Sequence, residues 1–156
     1  VDGTDFRFVR EAEFRAMLAG DEFAEWASVH GNLYGTRARS LREAVGAGRD
    51  VLLDIDTQGA AQLRARYMDA VLIFVVAPSV KELEQRLRER RSDEDADIER
   101  RLRRAREEIA LWRQYHYLIV NRDVKEALDQ LESIILAERC RVTRLGLTLP
   151  DLEVRD

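Results

Sequence analysis

Phe14, Met17 and Leu18 recur at helical spacing, so residues 11 to 19 (EAEFRAMLA) read as a short helix that Gly20 and Asp21 break. Residues 22 to 29 (EFAEWASV) read as a half-buried strand, and 30 to 35 as a glycine-rich loop. A modest helix over 37 to 47 ends at Gly48. VLLDID, ending at Asp56, reads as a buried strand with acids at its C-terminal tip. Residues 58 to 67 are helical, and AVLIFVV (70 to 76) is a second apolar strand stopped by Pro78. Ser79 followed by Glu82 forms a capping box for a helix reaching about Arg91. SDEDAD opens another helix, from about 94 to 114, and YLIV (117 to 120) is a third apolar strand. Asp123 caps a last helix to about Arg141, and from Thr143 onward there is no clear period. Phe6-Arg7-Phe8-Val9, near the start, is also strand-like.

From residue 50 onward strands and helices alternate. That order predicts an α/β fold with a parallel sheet covered by helices. Ligands of such sheets collect at the C-terminal strand ends, which here carry Asp54, Asp56, Pro78 and Asn121.

Composition narrows the functional classes. The 156 residues suffice for one domain with one core. A net charge of −4 argues against a binder that uses its whole surface for nucleic acid, and leaves local basic clusters open. No apolar run is long enough to span a membrane, and no signal peptide is visible. Cys140, the one cysteine, fits a reducing, cytoplasmic setting. With His30 and His116 well separated, a structural zinc site is not expected, and both histidines read as structural.

Two groups could carry chemistry. An apolar strand ending in acids is similar to a Walker-B element, where a carboxylate helps hold Mg²⁺, although a strand-terminal Asp is more often a helix cap. Arg86 and Arg90 share one helix face and Arg101 lies on the next helix. Clustered guanidiniums suit a transferring phosphoryl group. The neighbouring Glu82, Glu84, Glu89, Asp93 and Glu94 favour a plain salt-bridged helix pair on composition alone.

Order along the chain changes that weighting. VDGTDFRFV, EFAEWASVHGNLYGT, DVLLDIDTQGA, FVVAPSVKELEQRLRERR, DIERRL and YLIVNRD match the guanylate kinase family in sequence and spacing, and the resemblance covers about residues 1 to 140. It implies ATP-dependent phosphorylation of GMP and dGMP, with ATP and GMP as partners and Mg²⁺ entering with ATP rather than on a dedicated protein site. It also implies a three-layer, P-loop-kinase-like parallel sheet with helices on both faces. Residues 1 to 35 would form a strand-rich GMP-binding insertion, 36 to 86 and 107 to 141 the core, 87 to 106 a helical lid and 142 to 156 a tail.

By the same resemblance Glu25 and Asp54 face guanine, whose N1–H and N2 amino group match a bidentate carboxylate. Tyr34 donates to the GMP phosphate, Gly35 lies in the GMP site and Thr36 reaches the base. Asp56 sits near metal and phosphates, and Asn121 near adenine. Arg86, Arg90 and Arg101 become catalytic lid and hinge arginines. Trp26 reads as packing.

The chain departs from the family pattern at Phe6, where tyrosine is usual, and at Glu89 and Arg91, where glycines commonly flank the lid arginine. The motif G-x-x-x-x-G-K-[ST] does not occur in these residues. The match begins part-way through the family pattern, as a start inside a longer sequence would. The chain alone is therefore expected to be inactive, and unstable as a monomer unless a segment or second copy fills the sheet beside VLLDID, hence possible self-association. The alternative is an inactive guanylate-kinase-like protein-interaction module, against which the three arginines count.

Overall fold

The computed structural model describes residues 7–29, 31–89 and 95–144. The chain divides between Leu72 and Ile73 into two units.

In the first unit, helix α1 (Glu11–Ala19) buries Phe14, whose ring stacks on Phe23 at 4.4 Å between centroids. The chain turns at Gly20 and at Asp21, which holds φ 51°, a left-handed conformation that Asp tolerates. Strands β1 (Phe23–Val29) and β2 (Asn32–Arg37) then form an antiparallel pair. The sequence predicts a loop over most of β2. Its polar and glycine residues give little strand propensity, and pairing with β1 overrides them. Phe8 and Val9 read as strand-like, yet residues 7 to 10 lie in neither strand nor helix.

Helix α2 (Ala38–Gly46) follows β2 directly, and α3 (Thr57–Arg66) lies against β1. Ala24, Ala38 and Leu63 form the buried centre, with Leu41, Leu53, Ile55 and Tyr67 packed around them. VLLDID is not a strand: residues 51 to 56 join no ladder among the described residues. It keeps a period-two habit all the same. Leu53 and Ile55 pack on the core, whereas Leu52 is 69% exposed and Asp54 is exposed. A strand is defined by hydrogen-bonded neighbours, and an apolar pattern alone does not supply one.

The second unit carries β3 (Ile73–Val76) and β4 (Tyr117–Val120), paired in parallel with Ile73 opposite Tyr117 and Val76 opposite Val120. Helices α4 (Val80–Glu89) and α5 (Asp95–Ile109) lie in the long connection that a parallel pair requires, and they pack on each other. Phe74, Ile98 and Ile119 are buried, and the ring of Tyr115 meets Phe74 edge-on at 4.9 Å. Ser79 caps α4 by accepting from the Glu82 amide at 3.1 Å. The reciprocal half of the expected capping box is replaced, because the Glu82 carboxylate faces Arg86 one turn on. Asp123 caps α6 (Val124–Arg139) through the amides of Lys125 and Glu126. Short 3-10 turns cover Trp112–Gln114 and Val142–Arg144.

Candidate active site

The register of β1 and β2 organises the candidate site residues of the first unit. Phe23 faces Arg37, but Glu25 faces Thr36, so one extra residue of β1 is accommodated as a bulge at Ala24. Without the bulge Glu25 would face Gly35. With it, Glu25 and Thr36 lie directly opposite each other, and Ala27 faces Tyr34. Opposed residues and their i+2 neighbours share a face, so Glu25, Tyr34 and Thr36 stand on one side of the ribbon. Phe23, Trp26 and Gly35 stand on the other. A Cβ on Gly35 would lie 2.8 Å from the Phe23 ring, so glycine lets that ring close over the strand.

Glu25 is 5% exposed, and its Oε1 accepts from the Thr36 hydroxyl at 2.6 Å. Burying a carboxylate is costly unless its oxygens are paired. Oε2 points at α3, where a Cβ on Gly59 would lie only 2.5 Å from it.

Helix α3 also grips the free edge of β1. The side chain of Gln62 donates to the Trp26 carbonyl at 2.7 Å and accepts from the Trp26 amide at 3.2 Å. Arg66 donates to the Phe23 carbonyl at 2.8 Å and to Asp21 at 2.9 Å. Residues 59, 62 and 66 fall on one helix face, and that face sets the position of Glu25.

Asp56 caps α3, its Oδ1 accepting from the amides of Gln58 at 3.1 Å and Gly59 at 2.9 Å, while Gln58 Nε2 reaches Oδ2 at 2.9 Å. The helix-cap reading of this acid is therefore correct as local structure. Its contact with Gly59 places it beside the residue that borders Glu25. Asp54 is exposed and takes no part in the cap.

The second unit holds the other group. Arg86 is half-buried, donates to Glu82 at 2.9 Å and lies 3.4 Å from the Arg122 carbonyl. It borders an open cavity of about 200 Å³ with Val75, Val76, Leu83, Leu87 and Asn121. The Asn121 amide extends the β4 ladder to Val76 at 2.8 Å, while its side-chain Oδ1 is buried without a partner. An unpaired buried acceptor at a strand end lining a cavity is a ready hydrogen-bonding position. Arg101 is half-buried on α5. Arg90, Arg91, Phe6 and His30 lie outside the described residues.

Comparison with known proteins decides the family. The family profile described as guanylate kinase matches residues 1–138. The chain belongs to the guanylate kinase family. The guanylate kinase of Syntrophotalea carbinolica is 52% identical over 144 residues, covering 92% of this chain and 69% of that protein. That of Geobacter sulfurreducens is 49% identical over 145 residues, covering 93% and 71%. The crystal structure of guanylate kinase from Anaplasma phagocytophilum superposes with a TM-score of 0.78 at 34% identity, over 94% of this chain and 72% of that one. Among the described residues, no helix is long and apolar enough to cross a membrane.

Two features of this guanylate kinase chain escaped sequence reading. Gly59 and Gln62 both lie in TQGAAQ, just after Asp54 and Asp56, and neither a missing side chain nor an uncharged carboxamide marks a site by itself. A glycine in the first turn of a helix, where most residues propagate better, was the available signal.

Proposed function

We propose that this chain supports phosphoryl transfer from ATP to GMP and dGMP, with Glu25 as the guanine acceptor. The observation that carries this reading is the buried Glu25 carboxylate, held by Thr36 on the same strand face as Tyr34. Guanine offers N1–H and an N2 amino group side by side, and one carboxylate accepts from both. Adenine has an acceptor at N1 and no N2 amino group, so it would leave the buried charge unmatched. Thr36 reaches the base and aligns Glu25, Tyr34 on the same face reaches the GMP phosphate, and Gly35 serves the GMP site from the opposite face by letting the Phe23 ring close over the strand.

The two acids after Leu53 divide the remaining work. Asp54, exposed and outside the cap, keeps its carboxylate open and is the second acid at the guanine edge. Asp56, whose carboxylate caps α3, stands in the vicinity of the ATP phosphates and the Mg²⁺ that enters with them. Among the described residues no group of three or more acids, histidines or cysteines could cage a metal. Mg²⁺ entering with ATP would supply charge neutralisation for phosphoryl transfer.

In the reaction a GMP phosphate oxygen forms a bond to the γ-phosphorus as the bond to the β–γ bridging oxygen breaks, releasing ADP. Arg86, Arg90 and Arg101 offset the charge spread over the transferring group. Asn121 turns its unpaired Oδ1 to the adenine amino group. The architecture for this is a three-layer parallel-sheet core over 36 to 86 and 107 to 141, a GMP-binding insertion over 1 to 35 and a lid over 87 to 106. A coupled assay of ADP release with GMP and AMP, run on a protein that supplies the phosphate-loop segment the family pattern places before these residues, tests the reading. Turnover with GMP and almost none with AMP is expected, and equal turnover overturns it.

A further inference from the structure

We infer that Gly59 is a specificity-determining position, and that its missing side chain holds the Glu25 carboxylate in the orientation that reads guanine. The inference rests on the reading of Glu25 above. A Cβ at Gly59 would stand 2.5 Å from Oε2 of Glu25, 3.2 Å from its Cδ and 3.4 Å from Cβ of Ile55. The first is shorter than atoms tolerate, the second is tight and the third is ordinary contact. Nearly all of the conflict therefore falls on one carboxylate.

That carboxylate is the end of a side chain, so the backbone can stay in place while the acid swings away. Swinging breaks the 2.6 Å bond from Thr36. It also moves the charge from the ribbon face that carries Tyr34 and Thr36. The rest of the contact is fixed: Gln62 holds Trp26, next to Glu25, at both backbone groups, and Arg66 holds the Phe23 carbonyl. Strand and helix cannot separate to make room without breaking these bonds. The added methyl thus displaces the reading group and leaves its frame standing. Gly59 is a positioning residue that acts through Glu25.

The test compares GMP with IMP, which differ by the N2 amino group that the second carboxylate lone pair accepts. Binding of both is measured by calorimetry on the wild type and on Gly59→Ala, Glu25→Gln and Gly59→Ala/Glu25→Asp, with thermal melts of each. Gly59→Ala is expected to weaken GMP about tenfold or more and to bring the GMP-to-IMP ratio close to one, with a cooperative melt retained. The shorter aspartate withdraws the colliding oxygens, so the double variant is expected to regain part of the ratio. An unchanged ratio in Gly59→Ala, with the ratio lost in Glu25→Gln, overturns the inference alone. No effect in either variant overturns the reading of Glu25 and the inference with it. Should Gly59→Ala fail to melt cooperatively, the double variant must recover the melt, and a pair as unfolded as the single also overturns the inference.

Discussion

Thr36 donates its hydroxyl to Oε1 of Glu25 across the β1–β2 ladder, and the bulge at Ala24 is what sets the two residues opposite each other. A buried carboxylate with this partner removed keeps its desolvation cost and loses a charge-assisted bond. Thr36→Val is therefore expected to cost about 1.5–3 kcal/mol in urea unfolding. Thr36→Ser, which keeps the donor, should cost clearly less. Equal losses for the two would mean that the methyl group, not the hydroxyl, matters here.

Glu25→Gln replaces one acceptor oxygen with a donor that faces the guanine N–H groups. GMP efficiency, as kcat/KM, should fall by about two orders of magnitude, while AMP remains a poor substrate. Steady-state kinetics with both nucleotides measure this directly.

The acids at 54 and 56 should separate in their effects. Asp56→Ala removes the α3 cap and is expected to lower stability by about 1 kcal/mol as well as lowering kcat with a raised Mg²⁺ requirement. Asp54→Asn should leave the melt near wild type and weaken GMP. Melts alongside GMP and Mg²⁺ titrations of activity check both. A stability loss confined to Asp54→Asn contradicts the assignment.

Arg86→Ala and Arg101→Ala are expected to reduce kcat by about a hundredfold with GMP affinity little changed, the pattern of contacts made mainly in the transition state. The Glu82 pair of Arg86 is a partly exposed i,i+4 bridge and should contribute well under about 1 kcal/mol to stability. A change confined to KM would assign the arginines to binding instead.

Acid stability should report on Glu138. This buried side chain accepts from the Tyr117 hydroxyl at 2.6 Å and from Arg141 at 2.5 Å, and its Oε2 lies 3.2 Å from Nε of Arg144 without hydrogen-bond alignment. The Tyr117 bond holds the carboxyl below its ordinary value, burial opposes this, and the charges of Arg141 and Arg144 add to the lowering. A group lowered in the fold contributes stability above its unfolded pKa. That stability is lost as pH falls from the ordinary glutamate value of about 4.3 through the lower folded value. The melting temperature of Tyr117→Phe should therefore lie below wild type at pH 7 and converge on it at low pH. The same bond raises the Tyr117 pKa, so its stabilising share persists up to the ordinary tyrosine value and fades above it.

Much of the chain could be read locally. Helix α1, the Asp123 cap of α6 and the four residues of β4 follow from spacing, capping chemistry and an apolar run, all of which act within one or two turns of chain. The identity of Glu25 as a chemically unusual residue was equally legible, because a carboxylate inside an apolar strand needs a reason. What the acid touches was not. Its partner depends on a one-residue bulge, and a slip of one residue changes every pairing in a ladder. Its neighbour Gly59 lies 34 positions away and carries no side chain to notice. VLLDID shows the same limit from the other side. Its alternation was real, and Leu53 and Ile55 do point inward, yet a ladder needs a hydrogen-bonding neighbour that no local pattern can specify. Sequence thus determined which residues carry charge, apolar surface and caps. Packing of α3 on β1 decided how those residues meet, because contacts between distant segments are set by register and helix face rather than by composition.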